Sequence, residues 1–330
     1  MSKIATKGWR YARSGPIGST LKLEKFDLAV GKDDVVVKMQ YAPLHRVDAA
    51  IVNGSALGRT KNAKPFPRIG GSEGVGTVVR SGNSTSVKEG DTVWVAPLQG
   101  TWSETITADS ALVHKIDPKN AALAATASNF IVAQQLLDGV QKSGVVVQNG
   151  GSSLTALAVA LLAKERGLTL FSTASKGDRY AQADARLKSA GSQTFEYSPA
   201  GARSLKAALA GKNVNRFLNG VGGNNFNEFV KLVGNNGEVV TFGAQNGFGL
   251  MWAGSNQIYK QLTLRGFYLP RYLRDTSYEV RQSTLDAVLK SISASGAAGK
   301  YPTEQVKLEA LPTVWDKTFV QGGSKGIIQF

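Results

Sequence analysis

The chain has 330 residues, 42% hydrophobic and 19% charged, a composition that builds packed cores and leaves room for two domains of ordinary size. It has no cysteine and only two histidines, His45 and His114, which excludes disulfides, thiolate zinc sites and a thiol nucleophile. Its 39 basic and 24 acidic residues give a net charge of +15, a field that draws nucleotides, phosphorylated coenzymes, nucleic acid or anionic membranes.

No apolar run approaches the roughly 18 residues of a membrane span; the longest, 154–163, suits a buried helix. The first seven residues are basic and free of acids, and are read as the remnant of a matrix-targeting segment. The next hundred read as β. Val35-Val36-Val37-Lys38-Met39 follows the turn Gly31-Lys32-Asp33-Asp34, and strands at 75–79 and 93–96 each follow glycine punctuation. Short strands between turns predict a small barrel or sandwich.

The pattern changes near Asp117-Pro118. Apolar spacing predicts one helix over 121–137, ended near Gly139. Strands and helices then alternate: strand 144–148, helix 154–164, strand 168–171, helix 180–190, strand 216–219, helix 226–233 and strand 238–242. That alternation predicts a parallel sheet covered on both faces. Past Leu262 the sequence turns β-like again at 264–269, then gives a helix over 278–293 and a last strand at 326–330. The organisation expected is a β domain, 1–120 plus 265–330, interrupted by an α/β domain, 121–264.

Four stretches carry chemistry. Gly70-Gly71-Ser72-Glu73-Gly74-Val75-Gly76 sets one acid among glycines; Glu73 is either a catalytic acid or, the reading preferred, a buried one that accepts from the N–H groups of its own turn. His45, just after Pro43, is either a substrate contact or a satisfied structural histidine. Asn149-Gly150-Gly151-Ser152-Ser153-Leu154-Thr155-Ala156 lies between a strand and a helix, where a pyrophosphate would meet the helix N-terminus. The strict G-x-G-x-x-G spacing is absent, and the branched Leu154 would compete for the phosphate's space. Ser175, Lys176 and Arg179 end the next strand and suit a ribose 2′-phosphate, which favours NADPH over NADH. Glycines also end two later strands, at Gly220-Val221-Gly222-Gly223 and at Gly243.

These residues resemble the zinc-independent branch of the medium-chain dehydrogenase/reductase family, and within it the mitochondrial 2-enoyl thioester reductases. The resemblance runs through Ala42-Pro43-Leu44-His45-Arg46-Val47-Asp48, Gly54, the Gly70–Val75 stretch, Gly90-Asp91, Gly100-Thr101-Trp102, Val147-Gln148-Asn149, residues 218–223, 240–243 and 264–269, and Ser324-Lys325. It implies a GroES-like β domain interrupted by a Rossmann-type doubly wound sheet, no zinc, NADPH as cofactor, a mitochondrial location with the cytoplasm as the alternative, and a homodimer. The activity implied is hydride addition to the β-carbon of a trans-2-enoyl thioester and proton addition to its neighbour.

Two departures stand out. The family's proton-donating tyrosine falls at Ala56, and the glycines of its phosphate loop fall at Leu154 and Ala156. Two readings therefore stay open. One is an NADPH-dependent reductase of the enoyl-thioester or quinone type. In it Gly150, Ser152, Ser153, Ser175, Lys176, Arg179, Gly243 and Lys325 hold the cofactor, and Ala56, His45 and Trp102 border the pocket. The other is a catalytically silent paralogue with protein or RNA partners, a structural subunit of a mitochondrial assembly such as the mitochondrial ribosome.

Overall fold

The computed structural model describes residues 2–54, 65–246, 249–250, 253–296, 300–320 and 324–330. Its chain divides into two compact units: Met1–Ser128 with Leu273–Ser293 and Pro302–Phe330, and Asn129–Tyr272 with Ala294–Tyr301.

The first unit is built on β strands: β1 (Ser2–Tyr11), β2 (Lys22–Val30), β3 (Val35–Pro43), β4 (Arg68–Ile69), β5 (Gly74–Arg80), β6 (Thr92–Val95), β7 (Thr105–Ala108) and β8 (Val113–Lys115). One sheet has the order β2-β1-β4. The basic N-terminal residues thus belong to a folded strand: Ser2 to Arg10 pair antiparallel with Val30 to Lys22. In the second sheet the valine run of β3 is central, flanked by β5 and by β7. Val35, Val36 and Val37 are fully buried there, as β-branched side chains packed on both faces of a strand should be. The glycines before and within β5 have a packing cause. Gly71 takes φ +84, and a Cβ on it would stand 2.6 Å from the Trp102 ring; one on Gly76 would collide with the Lys38 carbonyl oxygen.

The second unit contains β9 (Val145–Gln148), β10 (Thr169–Ala174), β11 (Gln193–Glu196), β12 (Val214–Asn219), β13 (Val233–Thr241) and β14 (Thr263–Gly266). They form one all-parallel sheet in the order β11-β10-β9-β12-β13-β14. Numbered from β9, that is 3-2-1-4-5-6, the doubly wound order, with its reversal between β9 and β12. The crossover helices include α1 (Leu154–Glu165), α2 (Asp178–Ser189), α3 (Pro199–Leu209) and α4 (Phe226–Val230). Each fully buried side chain of the core, such as Phe217, Phe226 or Leu205, contributes roughly 1.5–3 kcal/mol of transfer free energy.

Beside elements the sequence reading did not name, β1, β2, β11 and α3 among them, three of those it did name differ. The helix expected over 121–137 is two, Ala121–Ala124 and Ala127–Leu136; between them Thr126 folds its N–H and hydroxyl back onto the Leu123 carbonyl. The β-like sequence after Leu262 is β14, which pairs with β13 as the sixth strand of the parallel sheet. A strand of four residues does not disclose in its sequence which sheet it joins. The helix expected to reach 233 stops at Val230, because β13 already starts at Val233. The chain closes with β15 (Thr303–Val306) and β16 (Lys325–Gln329), and β16 pairs antiparallel with β3. No helix among the described residues is long and apolar enough to cross a membrane.

Candidate functional site

In the second unit the chain leaves β9 through Asn149 and turns at Gly150, whose φ of +72 is costly for any residue with a Cβ. Gly151 donates its N–H to the Thr173 carbonyl at 2.8 Å, so the loop lies against β10. A Cβ there would stand 2.9 Å from that same carbonyl oxygen. Ser153 caps α1, its hydroxyl accepting from the Ala156 N–H at 3.1 Å. Gly150, Ser152 and Ser153 remain half-buried, while Leu154 is only 7% exposed. The Leu154 side chain is therefore largely shielded from solvent. The turn matches what a pyrophosphate requires: small residues, free backbone N–H groups and the positive end of a twelve-residue helix.

Side chains brace this loop. Gln148 donates to the Ala156 carbonyl (3.0 Å) and to the Ser172 hydroxyl (2.9 Å), tying β9 to α1 and β10. Tyr301 donates its hydroxyl to the Ser152 carbonyl at 3.0 Å, and the Arg186 guanidinium lies 5.0 Å from the centre of its ring. Across the strand reversal Asn149 donates to the Asn219 side-chain oxygen at 2.7 Å, and its own oxygen accepts from the Gly220 N–H at 2.6 Å. Asn219 also accepts from the Gly222 N–H at 2.9 Å and donates to Thr241 at 3.2 Å. A Cβ on Gly243 would stand 2.7 Å from the Gly220 carbonyl oxygen, so glycine there lets β12 and β13 end side by side. Ser175 and Lys176 are exposed at the end of β10, and Arg179 is half-buried in the first turn of α2.

The first unit holds a buried polar chain. Glu73 is fully buried. Its carboxylate accepts from the Trp94 indole (3.0 Å), the Ser128 backbone N–H (3.2 Å), the Ser128 hydroxyl and His45 Nε2 (2.7 Å). Glu73 is an acceptor as expected, but its donors come from other elements and not from its own turn. Ser128, 55 positions away, leaves no trace in the sequence.

His45 Nδ1 lies 3.1 Å from Lys325 Nζ, which also donates to the Leu44 carbonyl at 3.1 Å. An ammonium can only donate, so Nδ1 accepts, Nε2 carries the ring proton, and that proton points at Glu73. Burial pulls the Lys325 ammonium down to about 8, while Glu73 and Asp48 pull in the opposite direction. Asp48 is buried too and accepts from the His45 N–H at 2.6 Å. Burial pushes its carboxyl above the ordinary range, against the lowering effect of His45, Ser72 and Lys325.

Lys325, which the sequence reading grouped with the cofactor residues, meets His45 in the structure. Trp102 is fully buried, donates to the Pro43 carbonyl at 3.3 Å and packs edge-on to Trp315. Its ring belongs to the core of this unit. Ala56 lies outside the described residues.

The alcohol dehydrogenase GroES-like domain model matches residues 31–137. The mitochondrial enoyl-[acyl-carrier-protein] reductase of Arabidopsis thaliana is 31% identical over 314 residues, 91% of this chain and 82% of the relative. Among solved structures, the Etr1p complex with NADP and crotonyl-CoA superposes with a TM-score of 0.84 at 22% identity, over 99% of this chain and 100% of the other. The mitochondrial 2-enoyl thioester reductase Etr1p/Etr2p heterodimer of Candida tropicalis gives 0.81 at 21% identity, over 99% and 100%.

Proposed function

Since the chain belongs to the zinc-independent branch of the medium-chain dehydrogenase/reductase family, together with the mitochondrial enoyl-[acyl-carrier-protein] reductases, we propose that it is an NADPH-dependent reductase of 2-enoyl thioesters working in the mitochondrion. The observation that carries this reading is the Gly150–Ser153 turn, set at the N-terminus of α1 where the strand order reverses. There Gly150, Ser152 and Ser153 would hold the pyrophosphate and Gly243 would keep the neighbouring strand ends open. Ser175, Lys176 and Arg179 would take the 2′-phosphate. When bound, the nicotinamide supplies the hydride; the chain's own task is to orient the thioester and deliver a proton.

The same reading includes a homodimer. β14 is an edge strand, and Leu264 on it, with Ile258 and Tyr259 just before it, is exposed; Tyr259 is 84% exposed. An apolar edge of this kind is a natural place for a second copy to pair, and light scattering that gave only monomer would remove it. The alternative of a silent structural subunit with protein or RNA partners draws no support from the relatives, which are named as reductases.

The test is thioester-dependent oxidation of NADPH by the purified protein, with crotonyl thioester and a quinone offered separately. Saturable turnover with the thioester is expected. NADPH oxidation with the quinone alone would move the substrate class, and turnover with neither would overturn the reading.

A further inference from the structure

The turn that would seat the pyrophosphate is gripped by one distant side chain of its own unit. Tyr301 ends the stretch 294–301 with which the chain returns to the second unit, and its hydroxyl meets a residue 149 positions earlier. We propose that Tyr301 is a positioning residue for the dinucleotide, fixing the Ser152–Ser153 peptide so that the N–H groups on either side of it converge on the pyrophosphate; this rests on the reductase reading above.

Three features carry it. First, that peptide is held at both edges. Its carbonyl oxygen, on Ser152, accepts from the Tyr301 hydroxyl at 3.0 Å, and its N–H, on Ser153, donates to the Gly150 carbonyl at 2.9 Å. A peptide is planar, so bonds at its two opposite edges stop the plane from turning. Second, the N–H groups of Ser152, Leu154 and Thr155, which flank that peptide, have no partner among the described residues. The next N–H, of Ala156, is taken by the Ser153 hydroxyl. The flanking three are the donors that the turn and the first residues of α1 leave for an anion. Third, the Tyr301 ring is itself held. Pro302 follows it, and a residue before proline is pushed toward extended backbone. Arg186, in the last turn of α2, sets its guanidinium 5.0 Å from the ring centre, within the range of a cation–π contact.

Backbone N–H groups grip an anion best when they converge before it arrives. A turn free to rotate must be ordered at each binding, and that cost lowers the affinity. Tyr301 removes it without touching the ligand. The effect is confined to the pyrophosphate, because the 2′-phosphate falls to Ser175, Lys176 and Arg179. Tyr301 thus governs how tightly the dinucleotide is held, and not which of the two nucleotides is preferred.

The experiment compares wild type with Tyr301→Phe, which keeps the ring and its Arg186 contact and removes only the hydroxyl. Arg186→Met, which frees the ring and keeps the hydroxyl, is the second variant. Two quantities are read: the Kd of NADPH by fluorescence, and the Ki of adenosine 2′-monophosphate as its competitor. The competitor carries a 2′-phosphate and no pyrophosphate. Tyr301→Phe should weaken NADPH roughly 2- to 10-fold, the range for one lost hydrogen bond, and leave the Ki of the competitor as in wild type. NADH should weaken by the same factor. Arg186→Met should shift NADPH in the same direction by less.

Unchanged NADPH affinity in Tyr301→Phe would overturn the proposal and leave the reductase reading standing. So would a loss shared equally by adenosine 2′-monophosphate, which would make Tyr301 a staple of the unit as a whole. The expected shifts in a protein that turns over no thioester would overturn the reductase reading and leave the role of Tyr301 standing. A wild type that binds no NADPH would overturn both.

Discussion

His114 shows how a single residue ties stability to pH. It is fully buried, with its ring stacked on Tyr278 at 4.5 Å and tilted against Trp94 at 6.0 Å. Burial, reinforced by the charge of Arg281, holds the imidazole down to about 4. In the unfolded chain it titrates near 6.5, so the unfolded state binds the extra proton between those values. Stability is therefore complete above about pH 6.5 and falls as pH drops toward 4, by on the order of 3 kcal/mol from this residue. His114→Phe keeps the stack and has nothing to protonate. Urea unfolding of that variant should lose much of the slope of stability between pH 6.5 and 4; a slope equal to wild type would place the effect elsewhere. At this scale the sequence exposed Glu73 as a buried acceptor through its glycine surroundings. It could not expose Trp94, Ser128 or Lys325, which lie 21, 55 and 252 positions away and meet it only through the fold, Lys325 by way of His45.

At the scale of elements, the ends of β9, β12 and β13 act together through Asn149, Asn219 and Thr241. Both asparagines are buried, so every lost bond leaves a polar group without water to replace it. Asn219→Ala would strand the Gly222 N–H and the Asn149 amide. It should cost about 1–3 kcal/mol, and because it loosens the turn beside Gly220 it should also weaken nucleotide binding. Unfolding curves and nucleotide titration on the same preparation check both, and unchanged values in both would show the bridge to be idle. Most of the parallel strands were legible because both-face burial writes them as apolar runs between helix periods, as in Val145-Val146-Val147; β11, Gln193-Thr194-Phe195-Glu196, has no such run and was missed. β1 and β2 were missed as well. Their exposed faces carry Lys3, Lys22, Lys25 and Asp27, so the first residues read as a basic lead and 22–30 drew no assignment; the two pair with each other in a small separate sheet. β14 was seen as a strand and placed with the β unit, since only its pairing to β13 assigns it.

At the scale of the molecule, the charge of +15 and the doubly wound sheet point to the same kind of ligand, a phosphorylated one. The account holds that this ligand is NADPH, seated on the Gly150–Ser153 turn with its 2′-phosphate at Ser175, Lys176 and Arg179. The direct measurement is a fluorescence titration of the protein with NADPH and NADH in parallel, repeated on a Lys176→Ala, Arg179→Ala double variant. The account predicts saturable NADPH binding well below about 1 mM, weaker NADH binding, and a double variant that binds the two nucleotides alike. Equal affinity for both nucleotides in wild type, or no binding of either up to that concentration, would contradict it.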